Sequence, residues 1–205
     1  MDDATRLERI LRFLEVSDQF KTIERACYLT TGEGLETDAD HTWHTALFAL
    51  LLHQDLDRPV DLGHTLTLLT VHDLVEIYAG DTFGYDAAGR RDKPQREAAA
   101  ADRLFGVLPA DLAVTMRGWW EEFEAAQTPE ARFAKAMDRL QVLAQNVFTH
   151  GRMWRERSVT EAMSRAKNQE AIVFDPSVAQ VFETLYQRAD QEQLWGTDPT
   201  TRPDE

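Results

Sequence analysis

A chain of 205 residues, 43% apolar and 28% charged, is long enough for one domain with a full hydrophobic core and too apolar for wholesale disorder. Its formal net charge of −14 argues against a nucleic-acid polymer or an anionic membrane surface as partner, because both are gripped by clustered Lys and Arg. One small phosphorylated ligand stays compatible with that charge, since a bound divalent cation reverses the field locally.

Cys27 is the single cysteine, so no internal disulfide can form, and a reducing cytoplasm is the expected setting. Met1-Asp2-Asp3-Ala4 lacks the basic-then-apolar order of a signal peptide. The longest apolar run, Ala46 to Leu52, falls far short of the roughly 20 residues needed to cross a bilayer. The expectation is a soluble, cytoplasmic protein.

Taken in order, nearly every segment carries helical period. Leu7, Ile10, Leu11, Leu14 and Val16 open an amphipathic stretch that continues through Phe20 and Ile23. Thr30 to Glu36 holds Gly32 and Gly34 and reads as a loop. Thr37-Asp38-Ala39-Asp40 fits a capping box, predicting a helix from about Asp38 to Leu56. Pro59 interrupts the chain, and Asp61 is placed to cap a third helix running to Tyr78, stopped by Gly80. Asp81 to Lys93 reads as a loop, and Pro94 suits the first turn of a fourth helix ending near Gly106. Pro109 opens a fifth, bearing Trp119 and Trp120. Thr128-Pro129-Glu130 opens a sixth, with Phe133, Met137, Leu140, Ala144, Val147 and Phe148 on one stripe. Two more helices, about Ser158–Ile172 and Asp175–Gln193, close the sequence before a polar tail from Gly196 to Glu205. No segment shows strand period. The predicted fold is all-α: one irregular helical bundle over residues 1–195, with 196–205 as a frayed tail.

The informative positions are polar groups embedded in apolar sequence. His72-Asp73 follows Leu66, Leu68, Leu69 and Val71 and precedes Leu74, Val75 and Ile77. A buried carboxylate beside a histidine is costly unless a charged or hydrogen-bonding group meets it. On its own the pair is more often a satisfied core histidine next to an aspartate paired with arginine. Three features shift that balance. His41 opens the second helix, Asp138 interrupts another apolar segment, and Glu76 and Asp81 flank the pair's own helix end. Two histidines and two aspartates on separate helices suit one divalent ion, with further acids nearby. His44 is a weaker candidate ligand; Cys27 has no evident base and is no candidate nucleophile.

This pattern resembles the H…HD…D signature of the HD-domain metal-dependent phosphohydrolases. Glu36-Thr37-Asp38-Ala39-Asp40-His41-Thr42-Trp43 is similar to the E-S-V-A-E-H-S-W segment of the branch containing 5′-deoxynucleotidases. His72 through Asp81 is similar to that branch's H-D-x-x-E-x-x-x-G-D, and Arg25-Ala26-Cys27-Tyr28 echoes an upstream arginine-plus-aromatic motif. Tyr28 stands where the branch often has Trp, and Cys27 where it usually has Gly, so nucleotide specificity is less constrained than the metal centre.

The resemblance implies a phosphomonoesterase acting on nucleoside 5′-monophosphates. His41, His72, Asp73 and Asp138 would hold one divalent ion: Mn, Co, Fe, Ni or Zn, which the sequence does not distinguish. Glu76 and Asp81 would be the acid–base residues, and Arg25 and Tyr28 would contact substrate. A homodimer is the usual state of similar proteins. Other HD chemistries, on alarmones, cyclic nucleotides or nucleoside triphosphates, are the alternatives, as is a non-catalytic metal-binding regulatory module; Gly80 between Glu76 and Asp81 breaks the continuous H-D-x-x-E-D of alarmone hydrolases.

Overall fold

Thr5 and Glu8 form a reciprocal capping box that starts α1 (Arg6–Ser17), and a 3-10 turn over Asp18–Thr22 ends its amphipathic run. The computed structural model describes residues 5–197, so most of the expected tail at 196–205 lies outside the described residues. Two short strands, β1 (Glu24–Tyr28) and β2 (Leu35–Thr37), then pair antiparallel, with Glu24 opposite Thr37 and Tyr28 opposite Leu35. This hairpin corrects the expectation of no strand and of a loop reaching Glu36. Gly32 and Gly34 both take φ of +80°, which a hairpin tip demands and side chains resist.

The capping box at Thr37 forms as predicted: its Oγ accepts from Asp40 N at 3.2 Å while Asp40 Oδ2 accepts from Thr37 N at 3.0 Å. It opens α2 (Asp38–Leu52). Asp61 caps α3 (Leu62–Val71) through His64 N. The predicted single helix to Tyr78 is broken, however. From His72 to Val75 the backbone tightens into i→i−3 bonds, including Leu74 N to Val71 O and Glu76 N to Asp73 O, before α4 (Glu76–Ala79) resumes. Gly80 stops α4 at φ +73°.

After a loop come α5 (Lys93–Phe105), with Pro94 in its first turn, and α6 (Ala110–Ala125). Thr128 caps α7 (Pro129–Phe148), whose helical stripe of Phe133, Met137, Leu140, Ala144 and Val147 is fully buried. Phe148, placed on that stripe by sequence, is 37% exposed. The short α8 (Arg152–Glu156), then α9 (Glu161–Ile172) and α10 (Pro176–Gln191), complete the bundle. α7 is the axis: α2, α3, α6, α9 and α10 all pack on it. One core joins α7 to Ala49, Leu68, Leu69, Phe174, Phe182 and Tyr186. A second gathers Phe13, Phe20, Val71, Ile77, Leu104 and Trp120 beneath α1 and α5. Among the described residues no helix is long and apolar enough to cross a membrane.

Candidate metal centre

α2, the α3–α4 turn and α7 converge on one buried point. His41 comes from the opening turn of α2 and is 0% exposed; its Nε2 lies 3.2 Å from Asp138 Oδ1 on α7 and 3.9 Å from Asp73 Oδ2. His72 Nε2 lies 3.0 Å from the same Asp73 oxygen, and the two imidazoles sit 5.5 Å apart. All four residues expected to hold a metal are therefore brought together. The break in the third helix helps, because the tightened turn sets His72 and Asp73 toward the same point.

Both imidazoles are oriented from behind. His41 Nδ1 donates to Gln141 Oε1 at 2.6 Å, and Gln141 Nε2 donates on to Glu36 Oε1 at 2.7 Å. His72 Nδ1 donates to the Leu69 carbonyl at 2.7 Å. These bonds aim each Nε2 at carboxylate, and neither buried Nε2 has hydrogen-bond geometry with any described residue. Imidazole nitrogens aimed at carboxylates leave a place between them that a cation, a proton or a metal ion, satisfies.

The charge count agrees. Glu36, Asp38, Asp73, Glu76 and Asp138 crowd around the point, whereas the nearby cations are Arg25, Lys93 and Arg139. Arg25 Nη1 donates to both Asp38 (2.9 Å) and Asp73 (2.8 Å). Burial raises the Asp73 carboxyl, but His72, Arg25 and His41 outweigh it and hold the group far below the usual range. Asp138 follows the same pattern, drawn down by Arg139 and His41 against burial. Glu76 goes the other way: burial first, then Asp73 and Asp38, push it well up. Asp38 is pushed to about 7 by burial and by Asp73. The donor set of two imidazoles and two carboxylates, amid acids crowded enough to push Glu76 and Asp38 up, fits a divalent ion.

The point opens into a cleft of about 410 Å³ lined by Asp73, Glu76, Asp81 and Asp138 together with Arg25 and Lys93. Glu76 Oε1 is 3.4 Å from Lys93 Nζ. Tyr28 does not line the cleft. Along β1, Arg25 turns toward the metal point and Cys27 toward α7, while Tyr28 lies on the α8 side, its hydroxyl donating to Glu156 with Arg152 over its ring. This placement lends no support to the expectation that Tyr28 meets substrate. His44 stacks on exposed Trp43 and contacts Gln141 rather than joining the ligand cluster.

Three participants escaped the sequence reading. Asp38 looked like an ordinary acid of a helix N-terminus, although Asp40 alone completes the capping box, leaving Asp38 spare. Gln141 gave only its position, one turn after Asp138. Lys93 gave no signal.

A family model described as HD domain matches residues 17–175. The chain is 30% identical over 137 residues to the 5′-deoxynucleotidase HDDC2 of Xenopus laevis, covering 66% of this chain and 67% of that one. It is 27% identical over 148 residues to the 5′-deoxynucleotidase hdd1 of Schizosaccharomyces pombe, covering 70% and 73%. The crystal structure of a predicted metal-dependent phosphohydrolase from Magnetospirillum magnetotacticum superposes with a TM-score of 0.87 at 39% identity, covering 93% of this chain and 96% of that one. The PH0347 protein of Pyrococcus horikoshii shares the fold alone, at a TM-score of 0.63 and 20% identity over 87% of this chain and 99% of that one. With His72-Asp73 inside the matched span and four candidate ligands gathered at one point, this chain belongs to the HD domain family.

Proposed function

We propose that the chain is a metal-dependent phosphomonoesterase releasing phosphate from (deoxy)nucleoside 5′-monophosphates. The observation that carries it is the pair of buried Nε2 atoms, each oriented through Nδ1, facing Asp73 and Asp138 at the floor of an open cleft. The relatives named 5′-deoxynucleotidase support the substrate class.

His41, His72, Asp73 and Asp138 would hold one divalent ion of the Mn, Co, Fe, Ni or Zn group. Such an ion supplies Lewis acidity: it lowers the pKa of a coordinated water and offsets charge on the phosphoryl group. Glu76, on the cleft wall, orients the attacking water or passes a proton to the leaving 5′ oxygen. Asp81, just beyond Gly80, shares that proton work or accepts a hydrogen bond from a sugar hydroxyl. Arg25 holds Asp73 in place through Nη1 and offers its remaining N–H groups to phosphate oxygens.

A cytoplasmic homodimer belongs to the same proposal. The buried, free Cys27 suits a reducing compartment, and exposed Trp43, Leu47, Leu50 and Leu51 on α2 offer an apolar face for self-association. Phosphate release is to be measured on deoxynucleoside and ribonucleoside 5′-monophosphates, cyclic nucleotides, triphosphates and an alarmone, with Mn²⁺ or Co²⁺ added. Release from the 5′-monophosphates is expected; metal retention with no release from any of them contradicts the reading.

A further inference from the structure

α7 carries the cleft away from the metal point. Asp138, Val142 and Asn146 stand at i, i+4 and i+8 on one face of that helix, and all three line the cleft. At 1.5 Å per residue the stripe runs about 12 Å from Asp138 to Asn146. A phosphate, a pentose and a base ring laid end to end can span it.

The two ends differ in character. The metal end is crowded with charge. Cys27 and Val142 stand beside Asn146, and the same cleft is lined by Trp154, Arg139, Lys167 and the edge-to-face pair Phe83–Tyr85, rings 5.4 Å apart. Lys167 Nζ pins the loop carrying that pair by donating to the Gly84 carbonyl at 2.9 Å, with Nζ 5.5 Å from the Tyr85 ring centroid. Burial pushes the Cys27 thiol to about 12, so it is neutral there.

Asn146 itself is 4% exposed. Its amide orientation is settled by Nδ2, which donates to the Val142 carbonyl at 2.9 Å and lies 3.5 Å from Cys27 Sγ. Oδ1 is therefore the group left over, and it is buried with no hydrogen-bond partner among the described residues. A purely structural asparagine bridging α7 and β1 accounts for Nδ2 and leaves Oδ1 unexplained. A buried acceptor without a donor is costly, and on a residue that lines a ligand cleft it favours ligands bringing an N–H or O–H.

We infer that Asn146 is a specificity-determining residue that accepts a hydrogen bond from an N–H of the substrate's nucleobase, with Phe83 and Tyr85 supplying the aromatic wall beside it. Asn146 Oδ1 itself does not serve a phosphate oxygen, since both are acceptors. The inference rests on the nucleotidase reading.

The test compares kcat/KM for each deoxynucleoside 5′-monophosphate with that for 2-deoxyribose 5-phosphate, which has no base, using the metal-loaded wild type, Asn146→Leu and Asn146→Ala. The ratio of nucleotide to sugar phosphate is expected to fall about 10-fold or more in both variants. Asn146→Asp, which keeps an acceptor oxygen, is expected to retain most of the wild-type ratio. A ratio unchanged in Asn146→Leu and Asn146→Ala overturns the inference while leaving the nucleotidase reading intact. A wild type that hydrolyses no nucleoside monophosphate overturns both.

Discussion

Asp73 is the residue on which most of the centre depends. It faces both imidazoles and takes a hydrogen bond from Arg25, so its removal deletes an expected ligand and leaves Asp38 as the one carboxylate hydrogen-bonded to Arg25 among the described residues. Glu76 stands differently: it lines the cleft wall beside Lys93 and is not one of the four expected ligands. The two acids should therefore separate experimentally. Asp73→Ala is expected to lose bound metal, measured by elemental analysis after gel filtration, and with it turnover. Glu76→Gln is expected to keep metal while kcat drops by roughly 10²–10⁴, the usual weight of a general acid or base. Equal metal loss in both would mean that Glu76 is a ligand. Arg25 illustrates a limit of sequence reading at this scale. Its type and motif mark it as important, but only the fold shows Nη1 shared between Asp38 and Asp73.

At the scale of elements, α2 delivers His41 from its first turn, so the cap at Thr37 bears on the site as well as on stability. Thr37→Ala removes an acceptor for Asp40 N and is expected to cost about 1 kcal/mol, read from the shift of a urea unfolding midpoint. No shift would show that the cap contributes nothing here. The helix starts at Thr37, Asp61, Thr128 and Asp175 are legible in the sequence because capping is local chemistry among neighbours. What escapes is set by contacts distant in sequence. The hairpin has a three-residue second strand, too short to show alternation, and it is closed onto α2 by Asp38 N donating to Ile23 O. The tightening at His72–Val75 sits inside an unbroken helical pattern, where apolar period gives no sign of i→i−3 bonds. Asn146 was equally silent, since an asparagine facing a cleft reads like one facing solvent. The four expected metal ligands stand out for the opposite reason: two histidines and two acids interrupt apolar stripes, and motif spacing links them.

For the whole molecule, the centre ties α2, the α3–α4 turn and α7 together across the main core. A ligand bound by the native state alone stabilises it by about 2.7 kcal/mol at one hundred times its dissociation constant. For a chain of this length that corresponds to a rise of roughly 5–10 °C in Tm. Stripping metal with a chelator is expected to lower Tm by about that much, and readdition of Mn²⁺ to restore it; a Tm indifferent to chelation would argue against a metal spanning these elements.

The most direct measurement is an anomalous difference map from crystals of the Mn²⁺-loaded protein, collected above and below the metal edge. The account predicts one dominant peak within bonding distance of His41 Nε2, His72 Nε2, Asp73 and Asp138. A fully loaded crystal whose peak lies elsewhere, or which leaves either imidazole outside the coordination shell, would contradict it.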